Sequence, residues 1–193
     1  MNTRQLSSRM FRSAAAVLAV GLISTAGAVG AAVTADAAPY CGIVWGSLEK
    51  SNVQMSPAAI SNVRAGRHDC FDRMVVDVAG PVAGYHVFYM AEPLTDPAGM
   101  PFSLRGGAKL AVAVLAHTED VNTGAQVFTP ANPDELVNVT GWSTFRQIKL
   151  VGPSFEGVTQ FGLGVRARLP FRVFTLTGPG SMTRVVIDVA HRW

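Results

Sequence analysis

Arg73-Met74-Val75-Val76-Asp77-Val78 and Arg184-Val185-Val186-Ile187-Asp188-Val189 are the same strand written twice, more than a hundred residues apart. Each has a partner of matching type. Gly80-Pro81 leads from the first to Tyr85-His86-Val87-Phe88-Tyr89-Met90, and Phe171-Arg172-Val173-Phe174-Thr175-Leu176 leads through Gly178-Pro179 to the second. Both units read as β-hairpins, one near each end of an all-β domain. Alternation with period two places Met74, Val76 and Val78 on one face with Val185, Ile187 and Val189 as their counterparts, and these belong in a core. The opposite faces carry the rows Arg73, Val75, Asp77 and Arg184, Val186, Asp188. Within one strand Arg and Asp lie about 13 Å apart, too far to bond. As antiparallel neighbours, the two strands would set each Arg opposite the other's Asp; otherwise the rows are ordinary amphipathic patterning.

Between these units the apolar stretches are short, rich in Val and Phe, and punctuated by Gly, Pro, Asn and Asp. Strands are predicted near Ile60–Arg67, Arg73–Val78, Gly84–Met90, Lys109–Ala116, Gln126–Phe128, Phe145–Leu150, Val158–Val165, Phe171–Leu176 and Arg184–Val189, a spacing that suits a sandwich or barrel. Pro93, Pro97 and Pro101 mark a loop. Asn132-Pro133-Asp134-Glu135 has the residues that open a helical turn: a capping Asn, Pro at the first position, and acids at the positive end of the dipole. Gly162 and Gly164 share one strand face and leave it smooth enough for another backbone, a ring or a ligand, or for close packing of a second sheet.

The first 37 residues read as a signal peptide. Arg4, Arg9 and Arg12 precede an Ala-rich apolar run from Ala14 to Val33, and Ala35-Asp36-Ala37 offers a small-x-small cleavage site before Ala38. The run is too rich in Gly and Ala for a strong permanent span. The whole chain carries a net charge of +3, but this segment holds three of its 16 Lys and Arg and one of its 13 Asp and Glu. The chain from Ala38 onward is nearly neutral and lacks the clustered cations of a nucleic-acid footprint. An exported chain with two cysteines, Cys41 and Cys70, is expected to pair them, tying an N-terminal arm (38–59) to the domain proper (60–193). Metal binding lacks a second ligand at suitable spacing near Cys41, and no cofactor is expected.

Phe71-Asp72-Arg73-Met74-Val75-Val76-Asp77-Val78-Ala79-Gly80-Pro81-Val82 resembles the opening strand of AMIN domains. Leu169-Pro170-Phe171-Arg172-Val173-Phe174, followed by Arg184 to His191, resembles their closing strands. With Gly66-Arg67-His68-Asp69 ahead and a long stretch from Ala91 to Arg168 between, the pattern resembles the AMIN-like domain of secreted actinobacterial proteins. The resemblance implies a β-sandwich of two antiparallel sheets with one long inserted connection. It also implies a non-catalytic module that binds the cell envelope, through peptidoglycan or another wall glycan, or by docking a secretion or wall-remodelling protein.

Catalytic patterns are weak by comparison. His68, His86, His117 and His191 form no metal-ligand run. His68-Asp69 with Asp72 makes either a small carboxylate–imidazole cluster or a turn. Glu119-Asp120 and Asp134-Glu135 read as solvated loop acids, and Ser154 and Ser181 lack a nucleophile elbow. An uncharacterised hydrolase is therefore the weakest of three readings. Tyr85, Tyr89 and Arg172 are the candidate contacts for a sugar, because rings stack on sugars and polar tips fix hydroxyls; Trp45 and Trp142 suit a core or lid as well.

Overall fold

A computed structural model describes residues 39–95 and 98–193. The predicted signal segment, its cleavage site and Pro97 lie outside the described residues. A short 3-10 turn (Tyr40–Gly42) precedes nine strands: β1 (Lys50–Asn52), β2 (Ile60–Arg67), β3 (Phe71–Val78), β4 (Gly84–Met90), β5 (Ala108–Leu115), β6 (Phe145–Leu150), β7 (Thr159–Val165), β8 (Phe171–Thr177) and β9 (Thr183–Ala190). They form two antiparallel sheets, a four-stranded one in the order β2-β3-β9-β8 and a five-stranded one in the order β1-β4-β5-β7-β6. No helix among the described residues is long and apolar enough to cross a membrane.

The period-two faces hold. Met74, Val76, Val78, Val185, Ile187 and Val189 are all fully buried and meet Val87, Leu110, Val112, Phe145, Phe161 and Leu163 of the other sheet. Each such side chain stabilises the fold by about 1.5–3 kcal/mol relative to leaving it in water. The long stretch after β4 is not mere insertion, since it supplies β5, β6 and β7.

Three local expectations are corrected. The last two strands do form a hairpin, but the first predicted hairpin does not form, because β3 and β4 lie in different sheets. Both edges of β3 are taken by β2 and β9, so the chain at Gly80-Pro81 crosses the sandwich instead of folding back. A Cβ on Gly80 would press on Ala58 at 2.7 Å, so the crossing needs glycine for space. Gln126–Phe128 is not a strand. Gln126 makes one isolated bridge to Glu119, and the amides of Val127 and Phe128 both donate to the Thr118 carbonyl. Asn132–Glu135 is a turn and not a helix. Asn132 Oδ1 accepts the Asp134 amide, and the chain is then drawn along β6, where Leu136 donates to Ile148 and Leu150 donates to Pro133.

The smooth face of β7 receives backbone from its own chain. A Cβ on Gly164 would collide with the Arg105 carbonyl oxygen, and one on Gly162 would touch Phe102 and Leu104 at 3.0 and 3.1 Å. The segment after Pro101 therefore lies across the outer face of the five-stranded sheet. At the other end, Cys41 and Cys70 form a disulfide, with Cα atoms 6.4 Å apart, so the arm is fastened beside the β2–β3 turn. The arm also adds β1 to β4, a strand not anticipated from sequence.

Candidate functional site

The outer face of the four-stranded sheet gathers the polar rows. Register places Arg73 opposite Asp188, Val75 opposite Val186, and Asp77 opposite Arg184. On the far side of β9, Arg172 also stands opposite Asp188 and Phe174 opposite Val186. Asp188 is fully buried and accepts from two guanidiniums: Arg73 through Nε and Nη2 at 2.6 and 2.9 Å, and Arg172 through Nε at 2.8 Å. The bond to Asp188 holds the Arg73 pKa above its ordinary value, with burial acting against it.

Aromatic rings frame this pair. Arg73 lies over Phe71 and Phe174 at 5.1 and 5.6 Å, and Arg172 lies over Trp45, Phe71 and Phe174 at 5.5, 5.4 and 5.1 Å. Trp45 belongs to the disulfide-fastened arm, where its indole Nε1 donates to the Tyr40 carbonyl. His68 stacks on Phe71 at 4.5 Å. A box results, with Asp188 as its floor, two arginines across it, and rings at its corners. Arg73 and Arg172 remain 23% and 32% exposed, enough to be reached from outside.

The second predicted partnership is in register but not bonded. Asp77 is taken from the other side by Arg64 of β2, through Nε and Nη2 at 2.8 and 3.1 Å. Arg184 turns away to the Thr177 carbonyl at 3.3 Å, and its Nε is buried without a partner among the described residues. Sequence reading missed Arg64 because the competing strand can be named only once sheet order is known.

Tyr85, Tyr89 and Arg172 are not brought together. Tyr85 and Tyr89 alternate in phase with the fully buried Val87, so they point into the sandwich, while Arg172 lies on the outer face of the opposite sheet. The Tyr85 hydroxyl donates to Val173 O at 3.3 Å. That of Tyr89 donates to Leu169 O at 2.7 Å and accepts the Leu169 amide at 3.0 Å. The first ties β4 to β8 of the other sheet, and the second ties β4 to the connection just ahead of β8. Burial pushes the Tyr89 phenol up to about 12 and raises that of Tyr85.

Two further clusters have structural roles. Asp72, fully buried, accepts the amides of Thr144 and Phe145 at 2.7 and 2.9 Å, and His191 Nε2 lies 3.2 Å away. The imidazole beside Asp72 is therefore His191, not His68. The parity of Asp72 with Met74 and Val76 was the available signal, since an acid on a core face must find donors. Glu119, expected in solvent, accepts from Ser154 and Thr118, and His117 Nδ1 lies 3.1 Å from its other oxygen. The Ser154 bond, with help from His117 and Thr118, brings the Glu119 carboxyl down to about 2. The order is inverted for nucleophilic catalysis, in which the imidazole stands between hydroxyl and carboxylate. Ser154 also borders an open groove of about 800 Å³ on the outer face of the five-stranded sheet, floored by Ala111 and Ala113 and walled by His86, Phe88 and Phe155. Among the described residues no group of three or more His, Cys, Asp or Glu is placed to hold a metal ion.

The family model of the AMIN-like domain matches residues 58–191, from before β2 to the end of β9. The chain belongs to the AMIN-like domain family. No curated protein and no solved structure matches it. AMIN-like membership suggests a non-catalytic, cell-envelope-associated module, and the disulfide agrees with an extracellular or envelope setting. Within this AMIN-like domain the arginine–aromatic box is formed by the family's own strands, β3, β8 and β9, together with a single ring, Trp45, from outside the matched residues.

Proposed function

We propose that this AMIN-like domain is an exported, non-enzymatic module that holds a wall glycan, with peptidoglycan the leading candidate, on the outer face of its four-stranded sheet. The observation that carries the reading is the box around Asp188. Phe174 and Trp45 are part-exposed rings on which a sugar ring can lie. Arg73 and Arg172 are fixed beside them by a buried carboxylate, so their remaining N–H groups are preorganised to bond hydroxyl or acyl oxygens. Tyr85 and Tyr89 are part of the support for this face and not of the contact.

The test is co-sedimentation of the purified domain with cell wall, before and after wall proteins are stripped off. The domain should sediment with both, and Phe174→Ala should lower its affinity at least about 10-fold, the weight of a well-placed aromatic contact. Binding that vanishes when wall proteins are stripped would make the domain a protein-docking module. Release of soluble wall fragments by the unaltered domain would make it an enzyme.

A further inference from the structure

The outer face of the four-stranded sheet carries four arginines, Arg64, Arg73, Arg172 and Arg184, against two acids, Asp77 and Asp188. The surplus has a definite place. Arg64 grips Asp77 and Arg73 grips Asp188, each by two hydrogen bonds, so both carboxylates have a bidentate partner. Arg172 shares Asp188 through Nε alone, and its two Nη groups meet no acceptor among the described residues. Among the described residues Arg184 has no acid partner, only one bond to a carbonyl, and an orphaned Nε. The two guanidiniums without a carboxylate of their own are therefore Arg172 and Arg184. In the β8–β9 ladder Arg172 stands opposite Asp188 and Arg184 opposite Leu176, a four-residue step of about 13 Å. Phe174 and Val186 occupy the step between them, and Leu176 is 39% exposed beside Arg184.

We propose, resting on the reading above, that the ligand of this face is an acidic polymer lying along β8 and β9, with one acid group at Arg172 and a second at Arg184. Two cations on neighbouring strands, four residues apart along the ladder with an apolar strip between them, match a chain that carries acid groups at intervals and presents a less polar backbone between. A neutral glycan would use the rings and leave both surplus charges unmatched. A single small anion would use one of them. The acid groups are carboxylates or phosphodiesters, which a guanidinium fork binds alike.

The experiment is sedimentation at 50 and 300 mM NaCl with three preparations of protein-free wall: untreated, with carboxylates capped as amides, and with phosphodiester polymers removed. The unaltered domain should bind untreated wall more weakly at the higher salt. One treatment should reduce binding about 10-fold, and which one does so identifies the acid. Arg172→Gln and Arg184→Gln should each weaken binding about 5-fold at low salt. Lysine at either position should restore much of it, since it keeps the charge. Neither Gln variant deprives Asp77 or Asp188 of its bidentate arginine, and a thermal melt checks that the fold persists. Binding that is indifferent to both treatments, to salt and to both Gln variants, yet lost in Phe174→Ala, would overturn the acidic ligand and leave the neutral-glycan reading standing. No sedimentation of the unaltered domain with any wall would overturn both.

Discussion

Arg73 of β3 and Asp188 of β9 face each other across the ladder at a sequence separation of 115 residues and share two hydrogen bonds. The acid is fully buried and the arginine is not. Removing the carboxylate strands two guanidiniums beside each other among aromatic rings, whereas removing Arg73 leaves Asp188 with Arg172. Asp188→Ala should therefore destabilise by about 3–5 kcal/mol and Arg73→Gln by less, as read by urea unfolding. A double-mutant cycle between the two should return a coupling of about 1–3 kcal/mol.

Reducing the Cys41–Cys70 bond should loosen Trp45 from Phe71 and Arg172, since the bond fastens the arm that carries the indole. Cys41→Ser with Cys70→Ser is expected to cost about 3–4 kcal/mol on chain-entropy grounds for a loop of this length. A shift of tryptophan fluorescence toward that of solvent-exposed indole, at denaturant concentrations where the sheets are intact, checks the local effect.

Gly164 and Gly162 should differ although they share a face. Gly164→Ala drives a methyl into the Arg105 carbonyl oxygen, a backbone atom that cannot step aside without moving the segment across the sheet. Gly162→Ala meets only the side-chain ends of Phe102 and Leu104. The first should cost several kcal/mol and the second about 1–2, measured by thermal or urea unfolding.

Tyr89 gives the fold an alkaline limit. Its phenol sits at about 12 in the folded state because burial disfavours the phenolate, against 10.0 for the unperturbed group. The unfolded chain therefore loses this proton first. The stabilisation is complete below pH 10 and is lost as pH rises from 10 toward 12. With allowance for the ring's partial exposure, it amounts to about 1–2 kcal/mol. Tyr89→Phe should flatten that part of the stability–pH curve while lowering stability at neutral pH through the lost Leu169 bonds.

The sequence was legible where one strand decides its own fate. Alternation alone assigned Met74, Val76, Val78, Val185, Ile187 and Val189 to the core, and the Arg-x-Val-x-Asp repeat offered the Arg73–Asp188 pairing as one of two readings. It was opaque wherever two strands competed for one partner. Nothing local tells Gly80-Pro81, which crosses between sheets, from Gly178-Pro179, which closes a hairpin. What differs is whether the preceding strand has a free edge. Asp77 went to Arg64 for the same reason. The tyrosines of β4 were misplaced although the signal was present: they keep phase with Val87, and an aromatic ring in that phase belongs inside, whatever its hydroxyl suggests. Trp45 was out of reach because long-range contacts carry it to the box: the disulfide from Cys41 and the bridge of Gly46 to Phe171.

The four-stranded sheet is built from the earliest and latest long strands of the domain, and its central pair, β3 and β9, comes from opposite ends of the fold. Everything between them can be made while β3 still lacks a neighbour on that side. The box around Asp188 therefore cannot assemble until β9 has been delivered. Long-range pairing of this kind is slow compared with local structure. A polypeptide emerging in order, from a ribosome or through a narrow channel, would leave β3 open on that side until β9 arrived, and the arginine–aromatic box would be the last part of this domain to form.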